Sequence, residues 1–426
     1  MSKHMRAFVL GIAALALIWA TAGASPAAEE GEGNPVVIGA PIPLKSRYGL
    51  NGQRGMVLAV EEINGAGGVM VGNVKRPLKL EIVDTDDLEP GMEINEVMRR
   101  IEDLVLRKKV DLLAGGPCLS ESGLEALDLI SRLNKIHLVS IGCYTPAWDQ
   151  KVSQDREKYK HSFRVSGSVK WYVEEALDLM RKIKEKHGFD KLFVSADDSE
   201  MCRKASEIVE RLATKDGWKV VGRDIHAIGT TDFTAPLTEC KNSGAQVLFI
   251  WGYSPETRTM LRQWSAMEVP ALPLGFIGAA EDSGFWKATK GGCAFSIATL
   301  SETGNVPSKA TPRSMEFFTD FEKRWMQPPR STGCVAGYES IYVIKDAIER
   351  AGTLDTEALI KAIEKTNLKG VRGTIRFDEN HQVVYGYDPN AGVLGCWVQW
   401  QEGQRIQVFP EAAAMAEIKL PPWMKK

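Results

Sequence analysis

The chain has 426 residues, 44% of them hydrophobic and 25% charged; at roughly 150 residues per domain this excludes a small disulfide scaffold, and the composition excludes collagen, coiled coil and wholesale disorder. Its 53 Lys and Arg nearly balance 55 Asp and Glu, a formal charge of −2. With no overall attraction to phosphate backbones or anionic lipid, nucleic acid is not an expected partner.

Lys3 and Arg6 precede an uncharged apolar run, Ala7 to Ala20, and Ala22-Gly23-Ala24 follows with small residues. This is the pattern of an export signal, residues 1–24, cleaved near Ala24. The run is shorter than the roughly 20 residues of a membrane span, and no later stretch of that length lacks charge. No cysteine lies in it or just after it, which speaks against a lipid anchor and for a protein diffusing in a periplasm. Residues 25–35 are small, acidic and marked by Gly and Pro, as in a flexible leader.

From Val36 short apolar, β-branched runs alternate with segments of helical period. Strands are expected at Val36–Ala40, Leu78–Val83, Val110–Ala114 and Ile136–Ile141, with helices starting near Gln53, Pro90 and Glu121. In the second helix Ile94, Val97, Ile101, Leu104 and Val105 share one face, so that face packs on a sheet. Gln150–His161 reads as an irregular basic stretch. The alternation then restarts, with helices at Tyr172–Lys186, Met201–Ala213, Phe233–Cys240 and Pro255–Met267 and strands at Lys191–Ser195, Lys219–Ile225, Gln246–Trp251 and Leu274–Ile277. Apolar strands interleaved with helices imply parallel sheets covered on both faces, hence an α/β fold of two doubly wound, Rossmann-like lobes. Beyond Ala298 come helices at Ser314–Trp325, Val335–Arg350 and Thr356–Lys365, then β segments at Thr374–Phe377 and Gly395–Trp400. Too short for a third domain, this part is expected to return and complete both sheets.

Enzyme signatures are absent: there is no G-x-S-x-G elbow, no phosphate loop and no H-E-x-x-H, and the six histidines are scattered. The seven cysteines show no C-x-x-C and no zinc spacing. No cofactor, metal or catalytic residue is therefore expected. Gly65, Gly67 and Gly68 follow a helix and read as its C-terminal stop. Asp84, Asp86, Asp87 and Glu89 read as caps of the next helix; Asp197, Asp198 and Glu200 suit either capping or contact with a ligand ammonium. Three strand ends combine small, hydroxyl and aromatic residues: Gly115–Ser120, Ser140–Thr145 and Trp251–Ser254. Backbone N–H groups there can hold a carboxylate, and Tyr144, Trp251 and Tyr253 can enclose an apolar or planar body.

Val37-Ile38-Gly39-Ala40-Pro41, Tyr48-Gly49, Gly55, Ala59 and Ile63-Asn64-Gly65-Ala66-Gly67-Gly68-Val69 resemble the opening of the branched-chain amino-acid-binding family, type I periplasmic solute-binding proteins of ABC importers. The resemblance continues through Asp86-Asp87 with Pro90, Gly115–Ser120, Phe163-Arg164, Asp232-Phe233, Gly252–Glu256 and Ala336–Ser340. It implies two α/β lobes joined by three crossover strands and closing on one ligand. The expected division is 36–164 with 300–372 for the first lobe, 165–299 with 373–408 for the second, and 409–426 as a C-terminal tail. By the same resemblance, Cys118, Leu119 and Ser120 together with Gly142, Cys143 and Tyr144 grip the ligand's carboxylate and ammonium. Tyr48, Tyr253 and Glu281 complete the pocket, to which the strand-end reading adds Trp251.

The sequence also departs from that family. Leu119 stands where amino-acid binders often have Ser, Met201 replaces the Tyr of a D-x-x-Y-G loop, and Glu281 aligns only with a one-residue shift. Leu88 stands where some members carry the disulfide partner of the Cys118 position, leaving a Cys118–Cys143 pairing as the hypothesis. The expectation is a monomeric periplasmic receptor for a small amino acid or a related carboxylate or amide, delivered to an ABC transporter permease. The alternative is a periplasmic ligand-sensing module for a receptor or regulator.

Overall fold

The computed structural model describes residues 33–330 and 332–424, so the export signal lies outside the described residues. The first half runs β1 (Val36–Ile42), α1 (Arg47–Gly65), a hairpin of β2 (Val69–Val71) and β3 (Val74–Arg76), then β4 (Leu78–Asp84), α2 (Ile94–Leu106) and β5 (Leu112–Gly115). It continues with α3 (Ser120–Leu133), β6 (His137–Val139), α4 (Ala147–Gln154), α5 (Arg156–Tyr159) and β7 (Ser162–Arg164). A second series follows: α6 (Val169–His187), β8 (Lys191–Asp197), α7 (Glu200–Lys215), β9 (Lys219–His226), α8 (Thr234–Asn242), β10 (Val247–Gly252), α9 (Thr257–Ala266), β11 (Leu272–Ile277), α10 (Phe285–Ala288) and β12 (Ile297–Thr299). The last part holds α11 (Pro312–Trp325), α12 (Cys334–Ala351), α13 (Thr356–Glu364), β13 (Leu368–Lys369), β14 (Thr374–Ile375), β15 (Trp397–Gln401) and β16 (Gln404–Phe409).

The strands form two main sheets. One is parallel, in the order β4-β1-β5-β6-β7. The other has the order β16-β15-β12-β11-β10-β8-β9, parallel from β9 to β12, with β15 and β16 added antiparallel. In each, the five parallel strands run second, first, third, fourth, fifth by chain order, so both lobes share one winding. A winding that reverses direction opens a crevice at the strand C-termini beside its first and third strands. These are β1 and β5 in one lobe, β8 and β10 in the other.

The chain passes between the sheets three times: after β7, after β12 and before β15. Backbone hydrogen bonds lace the passages together, Arg164 N to His381 O at 2.8 Å, Leu300 N to Cys396 O at 2.7 Å and Leu394 N to Arg372 O at 2.9 Å. Ile375, Val383, Tyr385 and Val393 pack in the first lobe's core, whereas the sequence reading assigned 373–408 to the second. Only from Trp397 does the chain join the second core. The C-terminal segment docks there too: Trp423 meets Trp264 edge-on at 5.3 Å, and its indole donates to Val269 O.

Other differences are local. Helix α1 starts at Arg47, ahead of Gln53, because Ser46 Oγ accepts from Gly49 N at 2.9 Å and caps it. The stretch read as irregular forms α4 and α5, anchored by buried Trp148, Val152 and Tyr159. Glu93 begins α2, so the Asp84–Glu89 carboxylates do not cap it. Among the described residues no helix is long and apolar enough to cross a membrane.

Helices α1 and α12 approach closely at glycines. A Cβ on Gly55 would lie 2.1 Å from Cys334 O, and one on Gly337 2.9 Å from Gly52 O. Gly55→Ala must push the helices apart and is expected to destabilise the protein by about 1–3 kcal/mol, read as a lower denaturation midpoint in urea. An unchanged midpoint would mean that the helix pair has room to yield.

Candidate ligand-binding cleft

The strand C-termini of both sheets end in loops fastened by buried side chains. Arg164, at the end of β7, donates to Cys143 O (2.9 Å), Thr145 O (2.8 Å) and Asp149 (2.8 Å), and also to Gln382. Ser166 Oγ donates to Gly142 O at 2.8 Å. The Gly142–Thr145 loop is thus set by the first passage between lobes. Gly142 has φ +84°, and a Cβ there would lie 2.3 Å from Cys118 O, so only glycine lets the loops after β5 and β6 meet.

The acidic cluster after β4 ties loops instead of capping a helix. Asp84 accepts from Leu44 N, Asp86 pairs with Lys45 and Arg100 at 2.9 Å each, and Asp87 accepts from Thr85 Oγ1 and Leu119 N at 2.5 Å each. In the second lobe, buried Asp197 accepts from Tyr253 N (2.9 Å), Ser254 N (2.8 Å) and Ser254 Oγ (2.8 Å) and contacts His226 Nε2 at 3.1 Å. It is a loop anchor; Ser199 caps α7.

The residues expected to bind ligand are placed as follows. Tyr48, Cys118 and Tyr144 converge on one side of the cleft, near enough to influence one another electrostatically. Glu281 faces them from the turn after β11, 1% exposed. Arg47 Nη2 lies 3.3 Å from Glu281 Oε2 and donates to Tyr48 Oη at 2.8 Å, joining the lobes. Neither Glu281 oxygen has a hydrogen-bond donor among the described residues, and burial lifts its pKa to about 7 against the pull of Arg47 and Arg405. Tyr144 packs edge-on against Tyr172 at 5.8 Å. Trp251 is buried against Phe249 and Phe276, with its indole N–H unpartnered. Tyr253 stands at the mouth, 41% exposed, its backbone beside Gly278. Ser120 opens α3 and is half-buried.

Two expectations need correction. Cys118 and Cys143 are not bridged; all seven cysteines are free. Cys143, with φ +53°, turns its thiol toward α3, where a Cβ on Gly123 would meet Sγ at 2.3 Å, while the Cys118 thiol lies over Gly142. Burial pushes the Cys143 thiol up to about 12. Leu119 is also unsuited to grip a carboxylate through its backbone, because its N–H is already given to Asp87.

Several cleft residues escaped the sequence reading: Arg47, Tyr172, Glu302, Thr332 and Arg405. Glu302 is wholly buried and accepts from Gly333 N (2.9 Å), Val335 N (3.0 Å) and Ala336 N (3.4 Å), capping α12. Burial chiefly raises the Tyr144 pKa; the Glu302 charge adds to this and a hydrogen bond with Thr332 opposes it. Arg405 donates to Glu281 O at 2.6 Å from the far edge of the second sheet. Among the described residues no group of three His, Cys, Asp or Glu is arranged to hold a metal ion.

The anchor of the Tyr253 loop makes its own pH signature. Burial works against a charged His226, but Asp197 and Asp224, at 3.1 and 3.0 Å, outweigh it and raise its pKa to about 9. A raised folded-state pKa gives stability that is complete below the unfolded value of about 6.5 and is lost as pH rises through about 9. Melting temperature is therefore expected to fall across that window in the parent protein and to fall less in His226→Gln. Parallel profiles would remove His226 as the group responsible.

Comparison with known proteins matches this architecture. The periplasmic binding protein family model covers residues 35–388. The Leu/Ile/Val-binding protein homolog 7 of Brucella melitensis is 25% identical over 439 residues, spanning 99% of this chain and all of the relative. A crystal structure of a candidate branched-chain amino acid ABC transporter from Silicibacter pomeroyi superposes with a TM-score of 0.80 at 20% identity, covering 92% of this chain and 100% of that one. The branched-chain amino acid transporter substrate binding protein of Streptococcus pneumoniae, solved with isoleucine, gives 0.67 at 18% identity, covering 91% and 100%. Two like-wound lobes, three passages between them and a match over most of the sequence make this chain a member of the periplasmic binding protein family, a solute-binding protein and not an enzyme.

Proposed function

We propose that this chain, exported and cleaved near Ala24, is the periplasmic receptor of an ABC importer. It binds a small amino acid or a related carboxylate or amide between its lobes, and the closed form docks on the membrane permease as a monomer. The observation that carries this reading is Glu281. A buried carboxylate with no hydrogen-bond donor is costly unless a partner arrives, and this one lies between lobes beside Arg47 of the other lobe. A ligand ammonium or amide N–H supplies the missing donor. Tyr48, Cys118 and Tyr144 then close on the ligand from the first lobe and Trp251 and Tyr253 from the second, with Ser120, Gly142 and Cys143 shaping the loops. The isoleucine held by the Streptococcus pneumoniae relative and the naming of the Brucella melitensis relative support an amino-acid-sized solute.

The test is thermal. Refolded, ligand-stripped protein is melted against leucine, isoleucine, valine, phenylalanine, benzoate and benzamide; a ligand at 100 times its Kd adds about 2.7 kcal/mol. At least one is expected to raise Tm, and silence across the panel would overturn the reading. For an amino acid that binds, Glu281→Gln is expected to weaken affinity at least tenfold, about 1.4 kcal/mol. In the parent protein affinity should hold above pH about 7 and weaken about tenfold per unit below it, as Glu281 takes up its proton. A flat profile from pH 8 to 5 would place the ammonium elsewhere.

A further inference from the structure

An ion pair crosses the cleft away from the three passages between lobes. Arg47 is the first residue of α1, on the first lobe, and Glu281 ends the turn Gly278–Glu281 after β11, on the second. Arg47 Nη2 and Glu281 Oε2 lie 3.3 Å apart, the carboxylate 1% exposed and the arginine side chain 40% exposed. Each end is fastened within its own lobe. Ser46 caps α1 one residue before Arg47, Arg47 Nη2 donates to Tyr48 Oη at 2.8 Å, and the guanidinium carbon sits 4.9 Å from the Tyr48 ring centre, within cation–π range. Across the cleft, Arg405 Nη1 donates to the Glu281 carbonyl at 2.6 Å. Helix α1 has no acidic residue in its first turn, and a cation at a helix N-terminus opposes the macrodipole. The carboxylate at 3.3 Å that answers this charge belongs to the other lobe. The contact is one of charge without an aligned hydrogen bond, because neither Glu281 oxygen receives a donor among the described residues. Arg47 therefore offsets the buried charge and leaves the carboxylate's lone pairs to another donor.

Resting on the receptor reading above, we propose that the Arg47–Glu281 pair is a latch that draws the lobes together before a solute arrives. Without Arg47, closure buries an unpaired carboxylate, which opposes it. With Arg47, a solute meets lobes already biased toward closure and adds only the hydrogen bonds that the arginine does not make. Apparent affinity scales with the population of the binding-competent form, so Arg47 regulates binding without having to touch the solute.

Small-angle X-ray scattering of refolded, ligand-stripped protein reads the latch with no solute added, at pH 8, above the Glu281 pKa of about 7. Profiles are fitted as mixtures of open and closed forms. Arg47→Gln is expected to raise the open-to-closed ratio about tenfold, or 1.4 kcal/mol, seen as a larger radius of gyration. Arg47→Lys, which keeps the charge, should recover part of the compaction, and it keeps the test usable if the glutamine variant folds poorly. In a Glu281→Gln background, Arg47→Gln should change the ratio by less than about twofold, because its partner charge is already gone. Arg324→Gln, which breaks an exposed pair with Glu61 inside the first lobe, should leave the profile as it is. If Arg47→Gln scatters like the parent, or expands the Glu281→Gln protein as much as it expands the parent, the latch is overturned while the receptor reading stands. If scattering follows expectation and no solute of the thermal panel binds, the pair still closes the lobes and only the receptor reading falls.

Discussion

Each passage of the chain between the two sheets is fastened by a charged side chain that no water reaches. Arg164 closes the first, Glu302 the second and Arg372 the third, all fully buried. Arg372 donates to Glu339 through Nε (2.7 Å) and its own backbone N (2.9 Å), to Tyr385 Oη (3.2 Å) and, across to the first passage, to Val165 O (3.0 Å). Buried ions of this kind contribute little net stability against an apolar substitute, because desolvation offsets the attraction. What they supply is geometry: removing either partner leaves an uncompensated charge, so the passages have few arrangements open to them.

That constraint extends directly into the cleft. Arg164 sets the Cys143–Thr145 carbonyls and hence the direction of Tyr144. Glu302 holds the first turn of α12, which packs along α1 through Gly55 and Gly337, and α1 begins at Arg47 and Tyr48. The passages and the residues expected to face the ligand are therefore linked through hydrogen bonds and helix packing. Asp87 and Asp197 play the matching part farther out, each tying one strand-end loop to a neighbouring strand.

The fold was legible because parallel strands buried on both faces are nearly continuous apolar runs. Val36–Ile42 and Val247–Gly252 need no partner to be recognised, and the helices between them carry a clear apolar face. Boundaries set by one side-chain contact were harder, as at Ser46, where a single hydroxyl starts α1 six residues early. The polar parts of the cleft were legible only where they follow a strand. Cys118, Tyr144 and Tyr253 announce themselves that way. Glu302 shows a weaker form of the same signal, a carboxylate directly after the apolar Ile297–Thr299 segment. Arg405 has none, since an arginine at a sheet edge looks locally like a solvated surface residue. Its contact with the Glu281 carbonyl arises from the third passage, which brings β16 beside β15, and nothing in the local sequence encodes where that return ends. The aspartates were misread for a related reason: a carboxylate before a helix caps it only if the helix starts there, and α2 begins ten residues after Asp84.

Several polar atoms near the passages between the lobes are buried without a hydrogen bond, and under the receptor reading proposed above they couple closure to binding. The Trp251 indole N–H and the Glu281 carboxylate oxygens have no hydrogen-bond partner among the described residues, Glu281 having instead an ion pair with Arg47 at 3.3 Å. Each such group costs about 1–3 kcal/mol, more when charged, if it is desolvated alone. With the lobes apart, water meets them at no cost. In the proposed reading, a solute that offers a donor to Glu281 removes the penalty when the lobes are together. A ligand shifts a conformational equilibrium only by its differential affinity for the two states. In the proposed reading that difference comes from groups the closed protein leaves unsatisfied, so residues that select the solute also favour closure.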